Sequence, residues 1–146
     1  IGRRVRGWGI PLVEDSCDGA PETADWQVRL VHRSTRQTET ARACELVPEL
    51  DAFVSASHER TNWAVGLGLP MFVLFPLIGT FASQNFEFAR GQGVACPLGT
   101  VEAARNLGKI VKELRKTGQL AEMARRGYGV LEVDGVEAVA AQVLGG

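Results

Sequence analysis

The segment from Pro70 to Pro76 constrains the fold more than any other part of the chain, because it is a short apolar run enclosed by two prolines. A half-exposed strand alternates apolar and polar side chains, and this run has no polar residue between its prolines. Such a run is typical of a strand covered on both faces, as in a parallel sheet packed between helices. We therefore expect a central strand over 71–75.

Helix patterns lie on both sides of this strand. One begins after Ser57 and the other after Thr80, and each ends at a glycine. Serine and threonine are preferred N-caps, and glycine is preferred just beyond the last turn. The order is strand, helix, strand, helix and strand, over 52–55, 58–67, 71–75, 81–90 and 94–96.

This alternation predicts right-handed βαβ crossovers. The expected fold class is α/β, with a doubly wound, mainly parallel sheet of four or five strands and helices on both faces. A further strand is expected at 26–32. Further helices are expected at 35–46, 101–116, 119–126 and 136–144, and Thr100 is the expected N-cap of the helix at 101–116. The residues expected to be almost fully buried are Phe53, Val54, Met71, Val73, Leu74 and Val94.

The length of 146 residues, 45% of them hydrophobic, suits one domain. Residues 1–24 are rich in glycine and acidic side chains and are expected to form an irregular N-terminal segment or linker. Residues 25–146 are expected to form a single α/β domain. Because the chain starts at Ile1 and not at Met, we expect a fragment or a processed chain.

Charge and cysteine content exclude several functions. With 16 basic and 17 acidic residues the net charge is −1, which provides no broad field for nucleic acid. The three cysteines lack the spacing of metal ligands, so we expect no metal site, and free thiols suit the cytoplasm. The longest apolar run, 64–78, is too short to span a bilayer as a helix. At most peripheral membrane contact is expected.

Ligands of open parallel sheets bind beyond the carboxyl ends of the strands, beside helix starts. Three segments meet that description, at 55–62, 76–85 and 97–100. The unpaired N–H groups and partial positive charge of a helix start suit a diphosphate. The sequence therefore predicts a phosphate-bearing ligand near 57–58 and 79–80.

Four segments together resemble the C-terminal, donor-binding domain of GT-B glycosyltransferases. They are LDAFVSAS at 50–57, GLGLPMFVLFP at 66–76, QNFEFARGQGVA at 84–95 and a terminal helix introduced by Asp134-Gly135. The likeness is to the bacterial enzymes that add N-acetylglucosamine to the lipid-linked cell-wall precursor, and to similar UDP-sugar transferases. It covers about two thirds of the chain.

The resemblance implies a Rossmann-like domain that binds a nucleotide diphosphate sugar, such as a UDP-sugar, without a cofactor. The acceptor site would lie on a missing N-terminal domain or partner subunit. Carried over by position, the substrate-binding residues are Ser57, His58, Thr61, Gly79, Thr80, Gln84 and Asn85. Plain helix capping is the alternative for the residues at 57 and 80, and a solvent-facing helix turn is the alternative for those at 84 and 85.

Two positions depart from the family pattern. His58 stands where the family has a glycine, and Trp63 stands where it has a glutamate that binds ribose. His58 is a candidate general base or phosphate partner, or an exposed residue without a role. These departures leave two alternatives, namely a non-catalytic GT-B-like interaction module or partner subunit, and half of a sugar-nucleotide epimerase.

Overall fold

The chain divides into two compact units, Ile1–Glu49 and Leu50–Gly146. The structure is a computed structural model, and it describes residues 12–14, 28–30, 35–58, 60–131 and 135–145. The domain boundary expected after residue 24 falls outside these residues and stays a prediction.

The first unit contains a parallel pair of short strands, β1 (Leu12–Glu14) and β2 (Val28–Leu30). Helix α1 (Arg36–Leu46) follows and runs into a single 3₁₀ turn, Val47–Glu49. The N-cap of α1 is Thr35, whose hydroxyl accepts a hydrogen bond from the Thr38 N–H at 3.2 Å. The strand predicted at 26–32 and the helix predicted at 35–46 are therefore both present, the strand over the residues of that range that the structure describes.

The second unit is built on a three-stranded parallel sheet in the order β3-β4-β5. Its strands are β3 (Phe53–Ser55), β4 (Met71–Leu74) and β5 (Ala95–Leu98). Helices α2 (Thr61–Gly66) and α3 (Ala82–Gly91) make the two crossovers. The βαβαβ order predicted from the central apolar run is confirmed. The remaining helices are α4 (Val101–Arg105), α5 (Leu107–Lys116), α6 (Gln119–Gly127) and α7 (Gly135–Leu144).

The sheet is smaller than expected within the described residues. It has three strands, and β2 pairs with β1 instead of extending it. The architecture is thus α/β with a parallel sheet and helices, while a doubly wound sheet of four or five strands stays a prediction. In the described part of the chain, none of the helices has the length and apolar composition that crossing a membrane requires.

The core of the second unit lies between the sheet and its crossover helices. Met71, Val73 and Val94 are essentially inaccessible to solvent, as the apolar run predicted. They pack with apolar side chains from α2, α3 and the turn before β4, which are Ala64, Val65, Leu69, Phe86 and Ala89. This cluster positions both crossover helices against the sheet.

The opposite face of the sheet is only partly covered. Alternate residues of a strand point to opposite faces, and Phe72 is fully buried there together with Leu98. The prediction of full burial is wrong for Val54 and Leu74, which are 43% and 39% exposed, and Phe53 is half-buried. Val54 lies on an edge strand of this sheet and Leu74 ends β4, so fewer neighbours cover them.

Close packing places α6 against α2. A Cβ atom built on Gly127 would lie 2.7 Å from the Val65 carbonyl oxygen and 3.2 Å from a Val94 methyl group. Only glycine permits this approach of the two backbones. Asp134, which was expected to introduce the terminal helix, lies outside the described residues.

Two of the predicted helix caps are wrong. α2 starts at Thr61 and α3 at Ala82, and at neither start does a backbone N–H donate a hydrogen bond to the N-cap side chain. Ser57 adopts the left-handed conformation, with φ 60°, so the chain turns after β3 before the helix can begin. Thr80 likewise lies in a turn, one residue before the N-cap position of α3. The chain needs these extra residues to reverse direction at the strand ends.

The cap predicted at Thr100 is confirmed, because its hydroxyl accepts a hydrogen bond from the Ala103 N–H at 3.0 Å. The single helix predicted over 101–116 is instead two helices. They are separated at Asn106, whose side-chain amide donates to the Glu102 carbonyl oxygen at 3.0 Å. A side-chain amide that competes for helix carbonyls favours such a break.

Substitution of Thr100 by alanine should lower the free energy of unfolding by about 1 kcal/mol, because one N-cap hydrogen bond is lost. Thr80→Ala is the matched control, since Thr80 precedes α3 without capping it. That change should alter stability by less than about 0.5 kcal/mol. Urea denaturation of both variants measures the difference, and equal losses would contradict the cap assignment.

Candidate functional site

The loops after β3 and β4 meet at the carboxyl edge of the sheet. Asn85, in the first turns of α3, donates from its side-chain amide to the Ser57 carbonyl oxygen at 3.2 Å and to the His58 carbonyl oxygen at 3.5 Å. Gly79, with φ 95°, lies beside the His58 ring, and a Cβ atom there would be 3.5 Å from the ring carbon Cε1. One helix therefore holds the loop that follows the neighbouring strand.

The loop after β3 is stabilised from within. The Ser57 N–H donates to the Ser55 hydroxyl at 3.1 Å, and the Thr61 hydroxyl donates to the His58 carbonyl oxygen at 2.7 Å. The Ser57 and Thr61 hydroxyl oxygens are 3.5 Å apart, and both residues are almost inaccessible to solvent. Ser57 and Thr61, expected to contact substrate, therefore lie inside the fold and support the loop.

The left-handed residue of this loop is Ser57, one position before His58. A non-glycine residue in that region is uncommon and costs about 1–3 kcal/mol of backbone strain. The resembled family pattern has a glycine in this loop, and by position that glycine corresponds to His58. By conformation, the position that would favour glycine is Ser57. His58 can therefore carry a side chain without backbone strain.

Six of the described residues line a cavity of about 410 Å³ at this edge: His58, Asn62, Gly79, Thr80, Phe81 and Asn85. Four of them were expected to bind substrate. The other residue expected on α3, Gln84, is exposed and is not part of this lining. Neighbouring helix residues point about 100° apart, so Gln84 is directed away when Asn85 faces the cavity.

Sequence reasoning missed Asn62 and Phe81. Asn62 lies at the start of α2, just after a strand of the parallel sheet, and such a position beside a helix start is a signal that could have identified it. Phe81 is 68% exposed, although an apolar residue beside a helix start is ordinarily expected in the core. The missed residues add an amide and an aromatic ring to the cavity.

His58 also borders a second cavity, of about 480 Å³, with Phe53, Ser55 and Arg60. The imidazole is thus a wall common to both cavities. The Arg60 guanidinium carbon lies 5.9 Å from the centre of the Trp63 ring, a cation–π contact. Trp63 is half-buried and lines neither cavity, so a carboxylate at that position would stand beside Arg60.

Among the described residues, the lining of the first cavity has no carboxylate, lysine or arginine side chain. It offers two side-chain amides, the Thr80 hydroxyl, the His58 imidazole and the Phe81 ring. Such groups can hydrogen-bond the hydroxyls of a sugar or the edge of a base and can stack on a ring. The start of α3 adds partial positive charge beside Thr80 and Phe81. The combination suits a polar, ring-containing ligand that carries phosphate.

Within the described residues, no three His, Cys, Asp or Glu side chains come together as a bound metal ion would need. Comparison of the chain with protein-family models, with curated proteins and with solved structures finds no match in any of the three. The function of the chain is therefore inferred from its own residues.

Proposed function

We propose that the chain binds a nucleotide diphosphate sugar, a UDP-sugar in the simplest case, as the donor half of a glycosyltransferase. The observation that carries this proposal is the cavity at the carboxyl edge of the parallel sheet, where Asn62, Asn85, Thr80, His58 and Phe81 converge. Sites at this edge are where open α/β sheets bind their ligands. The acceptor would be held by a second domain or a partner subunit.

In this proposal the diphosphate lies at the start of α3. The Thr61 N–H at the start of α2 already donates to the His58 carbonyl oxygen at 3.0 Å. α2 has only six residues, whereas α3 has ten, and the Phe81 side chain makes no capping hydrogen bond to α3. The longer helix with an uncapped start is the better phosphate site.

Phe81 would stack on a ring of the ligand. Its side chain is 68% exposed at the cavity wall, and the flat face of an aromatic side chain binds bases and sugars. Asn62 would then hydrogen-bond ligand hydroxyls. The Asn85 amide nitrogen is already used by the loop, which leaves its side-chain oxygen as the group for the ligand.

His58 would stand beside the bond that is broken, because its ring borders both cavities. It would donate a hydrogen bond to the leaving diphosphate while the start of α3 balances the developing charge. Removal of the acceptor proton would be the task of the second domain or partner subunit.

The proposal also includes the number of strands in the sheet and the cellular compartment of the protein. We propose that the whole sheet is doubly wound with four or five strands, as in a GT-B half. We also propose a cytoplasmic location, where nucleotide sugars would be bound. Cys44 and Cys96 are free thiols, and burial raises the pKa of the Cys96 thiol, so that thiol stays protonated at neutral pH. Free thiols are typical of a reducing compartment.

A second candidate function is a non-catalytic interaction module with the same fold. Trp63 favours it, because the acid that would bind ribose in the resembled family is replaced by a half-buried indole beneath Arg60. No carboxylate lines the first cavity among the described residues. Such a module would keep the cavity but would not bind nucleotide sugars.

Isothermal titration with UDP-GlcNAc and UDP distinguishes the two functions. We expect weak binding of both ligands, because half of a two-domain cleft provides half of the contacts. Phe81→Ala should weaken binding about tenfold, since aromatic–base stacking contributes about 1–3 kcal/mol. Phe88→Ala is the control. Phe88 is an exposed phenylalanine of α3 that does not line the cavity. Equal affinity in all three proteins would refute the assigned site.

A further inference from the structure

All three lysines of the chain lie in one helix. They are Lys109, Lys112 and Lys116 of α5, and the other thirteen basic residues are arginines. At about 100° per residue, the three positions fall within about 60° of one another around the helix axis. They form a single row along one side of α5, here called the lysine face.

The lysine face is exposed and its charges are unpaired. All three lysines are exposed, and none of them forms an ion pair with the described residues. The arginines of the neighbouring helix differ, because Arg125 and Arg126 both pair with Glu122, at 2.8 Å and 2.9 Å. The positive charge of the lysine face is therefore directed at solvent.

The surrounding unit is charge-separated. Residues 50–146 contain nine basic and nine acidic residues, so this unit is neutral as a whole. The segment 105–116 holds five of the bases, adding Arg105 and Arg115 to the lysines, and one of the acids, Glu113, which leaves it at +4. The rest of the unit is therefore at −4. This separation would orient the unit with α5 towards a negative surface.

The apolar side of α5 is already used by the protein. Its four members, opposite the lysines on the helix, are half-buried: Leu107, Ile110, Val111 and Leu114. The helix therefore cannot turn over and insert its apolar side into a membrane. Any contact made by the lysine face is electrostatic and lies on the surface of the partner.

We propose that the lysine face docks the protein onto an anionic phospholipid surface. Clusters of basic residues on an amphipathic helix are attracted to such surfaces through the diffuse potential of many headgroups. Lysine, a compact hydrated charge, suits that potential, whereas arginine suits the paired oxygens of individual phosphates. α5 has no aromatic side chain on which bases could stack, which disfavours single-stranded nucleic acid. The lysine face is independent of the proposed sugar-nucleotide site, because no lysine lines either cavity.

Vesicle sedimentation of the full chain tests this proposal. Vesicles of phosphatidylcholine with about 30% phosphatidylglycerol should bind the protein at low salt, and pure phosphatidylcholine should not. The variant Lys109→Gln/Lys112→Gln/Lys116→Gln should bind about 100-fold more weakly, from about fivefold per lysine. Glutamine has nearly the helix propensity of lysine, and circular dichroism checks that the fold is kept.

The matched control is Arg60→Gln/Arg90→Gln/Arg125→Gln, which removes three exposed charges of the same unit outside α5 and gives the same net charge. It should bind the anionic vesicles within about threefold of the unmodified chain, because surface charges away from the contact act weakly. Equal losses in the two triple variants would overturn the proposal. So would equal binding to both kinds of vesicle, absence of binding to the anionic ones, or tighter binding of duplex DNA at the same salt.

Discussion

Replacement of Phe72 by alanine is expected to lower the free energy of unfolding by about 3–5 kcal/mol. Phe72 is fully buried, and its strand β4 is paired on both sides, to β3 and to β5. The backbone around a central strand cannot easily collapse into the space that the lost ring leaves, so both the burial and the packing contacts are lost. Urea denaturation followed by circular dichroism measures the change.

Leu74→Ala is the control for this prediction. Leu74 lies two residues further along β4, on the same face of the sheet, but it is 39% exposed. Its truncation should cost about 1 kcal/mol, because much of the side chain already contacts water. Comparable losses for the two variants would mean that the opposite face of the sheet is not buried at Phe72.

Asn85→Asp is expected to lower the free energy of unfolding by about 1–3 kcal/mol. The substitution keeps the shape of the side chain but replaces the N–H donor with an oxygen facing the Ser57 and His58 carbonyl oxygens. The loop after β3 loses its anchor, so affinity for a nucleotide sugar should fall as well. Urea denaturation and calorimetric titration measure the two effects.

The pH dependence of the stability of Asn85→Asp shows whether the introduced carboxyl group causes the loss, as opposed to a general destabilisation of the fold. Two carbonyl oxygens beside the introduced carboxyl would raise its folded pKa above the unfolded value of about 3.9. A group whose pKa is raised on folding favours the folded state when protonated, so stability falls as pH rises. The deficit relative to the unmodified protein should therefore shrink below about pH 4.

Asn62→Asp is the matched control, because Asn62 lines the same cavity and is exposed. Its amide makes no hydrogen bond within the described residues, so the free energy of unfolding should change by less than about 0.5 kcal/mol. A loss of stability as large as that of Asn85→Asp would show that the tether assigned to Asn85 is not the cause.

The alternation of strands and helices over 52–96 was predictable from the sequence, because a strand that is buried on both faces has a distinctive apolar composition. Met71 and Val73 belong to an uninterrupted apolar run, a pattern typical of strands covered on both faces, and both residues are buried. The exposure of Leu74 could not be predicted in this way. The exposure of Leu74 depends on which neighbouring elements extend past the end of β4. Their positions are set by the packing of residues that are distant in the sequence.

The site was predictable in place more than in detail. Parallel topology alone brings the loops after β3 and β4 together, and His58 and Asn85 were expected there. Ser57 and Thr80 were misread as caps because turn residues and cap residues have the same composition. Phe81 was missed because hydrophobicity predicts burial, whereas its position in a turn exposes it at the cavity wall.

An NMR titration with UDP-GlcNAc tests the central claim, that the cavity at the carboxyl edge of the sheet binds a nucleotide sugar. We expect shifts of backbone amides at 58–62 and 79–85, the segments that contribute the cavity lining and the start of α3. The amides of α5 should not shift, since α5 lies outside the lining. An absence of shifts at millimolar ligand, or shifts located away from these two segments, would contradict the claim.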